Sequence, residues 1–98
     1  EVAAGGAGLD RAVAGGYASD LLSDVMANAK AGSLWLTIQA HQNVVAVAVL
    51  KELAAVVLVG GRRPAEDTAA KAEAEGVPIL VSDQGAFELA GRLHDLGI

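Results

Sequence analysis

The chain alternates between short apolar runs and longer segments in which apolar residues recur at helical spacing. The apolar runs predict strands, because buried parallel strands have near-continuous apolar sequences. They lie over residues 13–19, 34–39, 55–59 and 79–81, and residues 1–3 fit the end of a further strand. The helical spacing predicts helices over residues 21–30, 42–53 and 64–75, and a last one from Ser82 or Asp83 to Leu96.

Start and stop residues support these helices. Asp20 is placed to cap the first helix, and Lys30 in its last turn with Gly32 beyond is a usual stop signal. Pro64 suits the first position of the third helix, which Gly76 ends. Only the segment 42–53 is ambiguous, since its β-branched residues favour a strand. Interleaved alanines and the cap residue Asn43 lead us to predict a helix that is buried on several sides.

Strand and helix therefore alternate four times with short connections. This order is typical of an α/β fold, in which helices flank a mainly parallel sheet of about four to five strands. At 98 residues the whole chain, 1–98, forms a single domain. Apolar residues make up 53% of it, with only one Trp, one Tyr and one Phe, so the core must be aliphatic. This excess suggests a sheet buried on both faces, an oligomer interface, or both.

Composition also excludes several classes of function. Without cysteine there is no disulfide and no thiolate metal site, and the net charge of −5 disfavours nucleic acid and anionic membranes as partners. No apolar run is long enough to span a membrane. The N-terminus lacks a basic region before an apolar stretch, so we expect no signal peptide and a cytoplasmic location. The chain begins at Glu1 without a Met, which suggests a trimmed start.

Polar residues gather where the predicted strands end. In an open parallel sheet, ligands bind beyond the carboxyl ends of the strands, so this edge is the candidate ligand-binding site. The candidate residues are Ser19, Asp20, His41, Gln42, Asn43, Gly60, Gly61, Arg62 and Arg63, and Tyr17, Ser82 and Asp83 lie on the same predicted edge.

Gly60-Gly61-Arg62-Arg63 before Pro64 is the strongest candidate on this edge. A helix N-terminus, two small glycines and two guanidinium groups together suit a phosphate or carboxylate. The alternative is a tight turn with solvated or ion-paired arginines, because the spacing matches neither a phosphate-binding P-loop nor a dinucleotide fingerprint.

The other candidates have equally ordinary alternatives. His41 could act as an acid or base, but a lone histidine is more often structural, and His94 is predicted to lie on the surface. The pairs Ser19-Asp20 and Ser23-Asp24 could hold a cation or phosphate, although helix capping explains them as well. Trp35 fits the core or an interface. We expect no metal and no cofactor.

The segment that begins Asp10-Arg11 and continues to Gly15-Gly16 resembles the DRTGG domain family, with Ala12-Val13-Ala14 between the two pairs. The likeness continues through residues 17–26, the strand 34–39 with His41 and Asn43, and Val59-Gly60-Gly61. It covers nearly the whole chain and is greatest to the stand-alone bacterial members.

The resemblance implies an accessory domain of unestablished function. Relatives are fused to CBS domains in regulatory pyrophosphatases, or to acyltransfer and cobyrinate-synthase-like domains, where the domain is thought to support dimerisation or regulation. Similar stand-alone proteins are labelled HPr serine kinases, but this chain lacks the P-loop such a kinase requires.

Three functional hypotheses follow. The first is a non-catalytic regulatory or assembly domain that forms a homodimer. The second is a small-molecule sensor that binds a nucleotide or other phosphorylated metabolite, an anionic partner, through His41, Asn43, Arg62 and Arg63. The third is an enzyme with His41 and Asp20 as its acid/base pair, which would require the two side chains to lie within hydrogen-bond reach.

Overall fold

The computed structural model describes all residues from 1 to 98 and contains five strands and four α-helices. The strands are β1 (Val2–Ala4), β2 (Gly15–Ala18), β3 (Ser33–Thr37), β4 (Ala55–Leu58) and β5 (Ile79–Val81). The helices are α1 (Leu22–Asn28), α2 (Asn43–Leu50), α3 (Glu66–Glu75) and α4 (Ala86–Asp95), and a short 3-10 turn spans Gly6–Gly8. The predicted α/β class and element order are confirmed.

The strands form one sheet in the order β1-β5-β4-β3-β2. Strands β2 to β5 are parallel, and each of β2, β3 and β4 pairs with the strand that follows it in the chain. Only β1 is antiparallel, and its pairing with β5 shifts register between Val2 and Ala4. The chain therefore adds its parallel strands in one direction, from β2 at one edge to β5 beside β1.

This order fixes where the helices lie. Right-handed connections that always step the same way across a sheet place every connecting helix on the same face. Accordingly, Val25 of α1, Val45 of α2 and Ala72 of α3 share one core cluster with the fully buried Trp35 of β3. The opposite face is covered by α4, whose Leu89 and Leu93 pack against a smaller cluster that includes Leu36 and Val57.

The two-sided burial explains the apolar composition. Every residue of β3 and β4 is buried, because these central strands have helices on both faces. The helix predicted over 42–53 is confirmed as α2, with four buried residues, but it ends at Leu50. The chain leaves the helix through Glu52, which has a φ of 54° and redirects the backbone into β4.

Two predicted helix caps are wrong, and α4 begins at Ala86, not at the predicted Ser82 or Asp83. Asp20 does not cap α1 and Asn43 does not cap α2, because the N-cap positions are Leu21 and Gln42 and neither makes a side-chain capping bond. Asp20 instead bonds to the end of β3, as described below. The third helix begins at Glu66 after the N-cap position Ala65, so the prediction of Pro64 as its first residue is wrong, and its first turn contains Glu66 and Asp67.

The last helix packs only partly against the sheet. It has no buried residue, although Leu89, Ala90 and Leu93 contact the sheet. Phe87 in its first turn is 93% exposed, and Leu96 at its C-cap position is 77% exposed. A single ten-residue helix therefore covers the second face of the sheet and leaves a cleft beside the edge strand β2.

Candidate functional site

The topology brings the four polar turns that follow β2 to β5 to one edge of the sheet, because parallel strands share their carboxyl ends. However, the strand order never reverses along this edge. In doubly wound folds the ligand crevice opens where the order reverses, since neighbouring connections then leave towards opposite faces. Here only the turns after β4 and β5 leave towards opposite faces, to α3 and α4. These two turns are joined by hydrogen bonds from the Gly60 N–H to Gln84 O and from the Gly61 N–H to Ser82 O.

Ser19 and Asp20 join β2 to β3 beyond the last strand residues. One oxygen of Asp20, Oδ1, accepts hydrogen bonds from the Thr37 hydroxyl and the Ile38 N–H, both at 2.9 Å. The Ser19 carbonyl accepts the indole N–H of Trp35 at 2.8 Å. Both residues thus hold the end of β2 against the end of β3, and Thr37 and Trp35 are partners that the sequence pattern did not reveal.

Asp24 of the second serine-aspartate pair is the centre of a different small network, on α1. Asp24 accepts hydrogen bonds from the Tyr17 hydroxyl and the Asn28 amide, both at 2.9 Å. Hydrogen bonding from the nearby Ser19 hydroxyl, and then from Tyr17 and Asn28, holds the pKa of Asp24 below its ordinary value. The Asp24 carboxylate in turn raises the pKa of Tyr17, because ionised tyrosine could no longer donate to it.

The turn from Gly60 to Arg63 is held mainly by bonds to the neighbouring loop. Its two glycines have φ values of 66° and 75°, a conformation that other residues adopt only under strain. Their N–H groups donate to Gln84 O at 2.7 Å and to Ser82 O at 2.9 Å. The backbone donors that would cradle an anion therefore already have acceptors within the protein.

The two arginines of this turn differ. Arg63 forms an ion pair with the Glu1 carboxylate at 2.6 Å, which raises the pKa of Arg63 and lowers that of Glu1. Arg62 makes only a long contact, 3.5 Å, with the carbonyl of Gly60. The acids Glu66 and Asp67 occupy the first turn of the helix that follows, where they oppose the binding of a second negative group.

His41 lies at the start of α2, where its Nδ1 accepts the backbone N–H of Asn43 at 3.1 Å. The imidazole thus does part of the capping predicted for Asn43. Gln42 occupies the N-cap position without a side-chain bond. No hydrogen bond joins His41 to Asp20, whose Oδ1 bonds to Thr37 and Ile38 instead. The proposed acid/base pair is therefore not assembled by hydrogen bonding.

Arg11 has a structural role that spacing alone could not reveal. Its guanidinium donates to Leu53 O at 3.2 Å and to Gly76 O at 3.1 Å. These carbonyls lie just beyond the C-terminal ends of α2 and α3, where free carbonyls and the helix dipoles favour a cation. The neighbouring Asp10 is exposed. The two other motif residues, Gly15 and Gly16, begin the edge strand β2.

A cleft of about 200 Å³ lies between β2 and α4. Its lining is mostly apolar and includes Gly16, Ala18, Leu93 and Ile98, with His94 as its one imidazole. A second depression of about 170 Å³ continues from Ala18 towards the carboxyl edge. The sequence pattern gave no signal for this cleft, because it depends on how α4 lies on the sheet.

The arrangement of the remaining side chains bears on two further kinds of site. No group of three or more His, Asp or Glu side chains is arranged to hold a metal ion. None of the helices has the length and apolar character that would be needed to cross a lipid bilayer.

A known protein-family model matches this chain. The model of the DRTGG domain matches residues 11–96, almost the full length of the chain. No curated protein and no solved structure gives a significant match. The matched range includes Arg11 and both strand glycines.

Proposed function

This chain belongs to the DRTGG domain family, and on that premise we propose that it is a non-catalytic regulatory or assembly domain that works as a homodimer in the cytoplasm. The observation that carries the proposal is the use of its polar groups. Asp20, His41 and the backbone of the Gly60-Gly61 turn are all engaged in bonds that hold the fold together. No hydrogen bond joins His41 to Asp20, the acid/base pair that the enzyme hypothesis requires.

Composition and size support self-association. A domain of this size buries a smaller share of its surface than a larger one, so an additional interface would stabilise it. Several large apolar side chains are exposed, among them Leu21, Leu50 and Phe87 at 63%, 69% and 93%. These residues are dispersed over the surface and do not by themselves define the interface.

Light scattering coupled to size-exclusion chromatography tests the proposal. We expect a molar mass close to twice the 9.8 kDa of one chain at micromolar concentrations, falling towards 9.8 kDa on dilution. A mass of 9.8 kDa at every concentration up to the solubility limit would overturn the homodimer.

A sensor of anionic small molecules is the second candidate, and the free guanidinium of Arg62 supports it. It is tested by thermal unfolding with ATP, AMP or inorganic phosphate at a concentration well above any expected Kd. Stabilisation of the wild-type chain, lost in the Arg62→Ala/Arg63→Ala double variant, would support this candidate. No shift with any of the three anions would exclude it.

A further inference from the structure

The two edges of the sheet differ in how well they are protected. Exposed edge strands invite pairing with other chains, and proteins usually shield them with charges, prolines, bulges or very short strands. At one edge, β1 has three residues, an irregular register and the charged Glu1 before it. At the other edge, β2 and its flanking residues 12–19 contain no charged residue and no proline. Only the second edge lacks protection.

The hydrogen bonds of β2 show which of its groups are free. The Ser19 N–H donates to Leu36 O of β3. Alternate residues of a parallel strand bond to the same neighbour, so Tyr17 also faces β3. The N–H and C=O groups of Gly16 and Ala18 point away from the sheet. They are the donors and acceptors to which another strand can be added.

Side chains at this edge leave room for another strand. Gly16 and Ala18 face α4 and line the 200 Å³ cleft with Leu93 and Ile98. A Cβ on Gly16 would come no nearer than 3.9 Å to other atoms, so close packing does not explain this glycine. Tyr17 faces the opposite side, towards α1. The small residues thus keep one side of the edge open, and the single tyrosine lies at its centre.

Charge along the edge favours one orientation of an added copy. Lys30 lies beside Gly15 at the start of β2, where both line the same depression. Asp20 follows the end of β2, and Asp24 bonds to Tyr17 near its middle. An antiparallel second copy would bring the Lys30 end of one edge near the acidic end of the other. A parallel copy would place like charges together.

We propose that β2 of one copy pairs antiparallel with β2 of a second copy, about a two-fold axis at Tyr17, to form a continuous ten-stranded sheet. This inference rests on the proposed homodimer and assigns its interface. Gly16 exchanges both backbone hydrogen bonds with the partner's Ala18, and Ala18 does so with the partner's Gly16. The contact is self-complementary, as a two-fold interface requires. The two α4 helices then flank the seam on one face, and the tyrosines meet on the other.

Cysteine cross-linking tests this register directly, because the chain contains no cysteine of its own. Residues at the axis form a non-hydrogen-bonded pair with Cα atoms about 4.5 Å apart, within the range that a disulfide spans. In Tyr17→Cys the two thiols meet. In the control Val13→Cys they lie roughly 27 Å apart at about 3.4 Å per residue. With oxidised glutathione, we expect the Tyr17→Cys dimer to form on the order of tenfold faster than the control.

A second pair of variants keeps the proposal testable if loss of the Tyr17 side chain impairs folding. Ala18→Lys places a charge at the seam, and Ala18→Ser is its neutral control. We expect Ala18→Lys to be monomeric at concentrations where wild type and Ala18→Ser are dimers, with circular dichroism unchanged. If wild type and Ala18→Lys are equally dimeric and the two cysteine variants cross-link at the same rate, the β2 interface is refuted while the homodimer stands. If wild type is monomeric throughout, both proposals fail.

Discussion

Replacement of Arg11 by alanine should destabilise the domain although most of this side chain lies at the surface. The substitution removes two hydrogen bonds from a charged donor, to Leu53 O and to Gly76 O. Such bonds contribute about 1.5–3 kcal/mol each where they are buried, and less where water competes. Because one of these two is exposed, we expect a combined loss of about 1–2 kcal/mol.

Arg11→Lys should show an intermediate loss. The ammonium group keeps a positive charge near the ends of α2 and α3, which is worth about 0.3–1 kcal/mol at a helix C-terminus. It cannot reach both carbonyls with the fixed fork of a guanidinium, so the bridge between the two helices is lost. The ranking of wild type, lysine and alanine therefore separates the contribution of charge from that of geometry.

Urea unfolding followed by the fluorescence of Trp35, the only tryptophan, measures these losses. For a domain of this size we expect the midpoint of Arg11→Ala to fall by roughly 1 M, at one fixed protein concentration. Arg62→Ala is the matched control, because its guanidinium makes only a 3.5 Å contact within its own turn. For the control we expect a free energy of unfolding within about 0.5 kcal/mol of wild type. If Arg11→Ala also lies within that range, the bridging role of Arg11 is wrong.

Two further predictions concern the polar residues near β2. The pKa of Tyr17, the only tyrosine, is raised above its ordinary value of 10.0 by the hydrogen bond to Asp24. The midpoint of the tyrosinate absorbance should therefore lie above pH 10.0 in wild type and closer to pH 10.0 in Asp24→Ala. The pKa of Asp24 in the folded chain is held below 3.8, so Asp24 stabilises the fold above pH 3.8, and this stabilisation is lost as the pH falls through the pKa of the folded state. A pH series of unfolding midpoints measures this loss. The same loss of stability at acid pH in Asp24→Ala would contradict the prediction. Asp20→Ala removes the acceptor shared by two donors and should lower the free energy of unfolding by about 1–2 kcal/mol. His41→Ala removes the acceptor of one bond and should lower it by less than half as much. Equal losses in the two variants would refute the structural role assigned to Asp20.

Most of the fold could be predicted because it depends on local patterns. The run that became β4 is wholly apolar, and in β3 the polar residues Ser33 and Thr37 stand only at the two ends. The α3 helix is bounded by first-turn acids and Gly76. The helix α2 was the hardest element, since valine-rich segments fit both structures, and its buried position between α1 and α3 allows it. The helix ends at Leu50 because the backbone of Glu52 adopts a left-handed conformation, and the hydrophobic periodicity does not predict this.

The candidate site was less predictable, because hydrogen bonds between distant segments decide what a polar residue does. The sequence placed Ser19, Asp20 and His41 near the carboxyl edge. It could not show that Asp20 would bond across to Ile38, or that Arg63 would pair with Glu1. Strand order is also a global property. The turns after β4 and β5 leave towards opposite faces, and the hydrogen bonds between them, at the place where the fold class suggested a crevice, depend on how α4 packs.

The assignment of β2 as the assembly surface is tested most directly by amide hydrogen exchange measured by NMR at low and high protein concentration. The N–H groups of Gly16 and Ala18 point away from the sheet, whereas the Ser19 N–H bonds to Leu36 O and serves as an internal control. We predict that protection of the Gly16 and Ala18 amides rises with concentration while that of Ser19 stays constant. If the Gly16 and Ala18 amides exchange as fast at concentrations where the chain is dimeric as they do at low concentration, the assignment is contradicted.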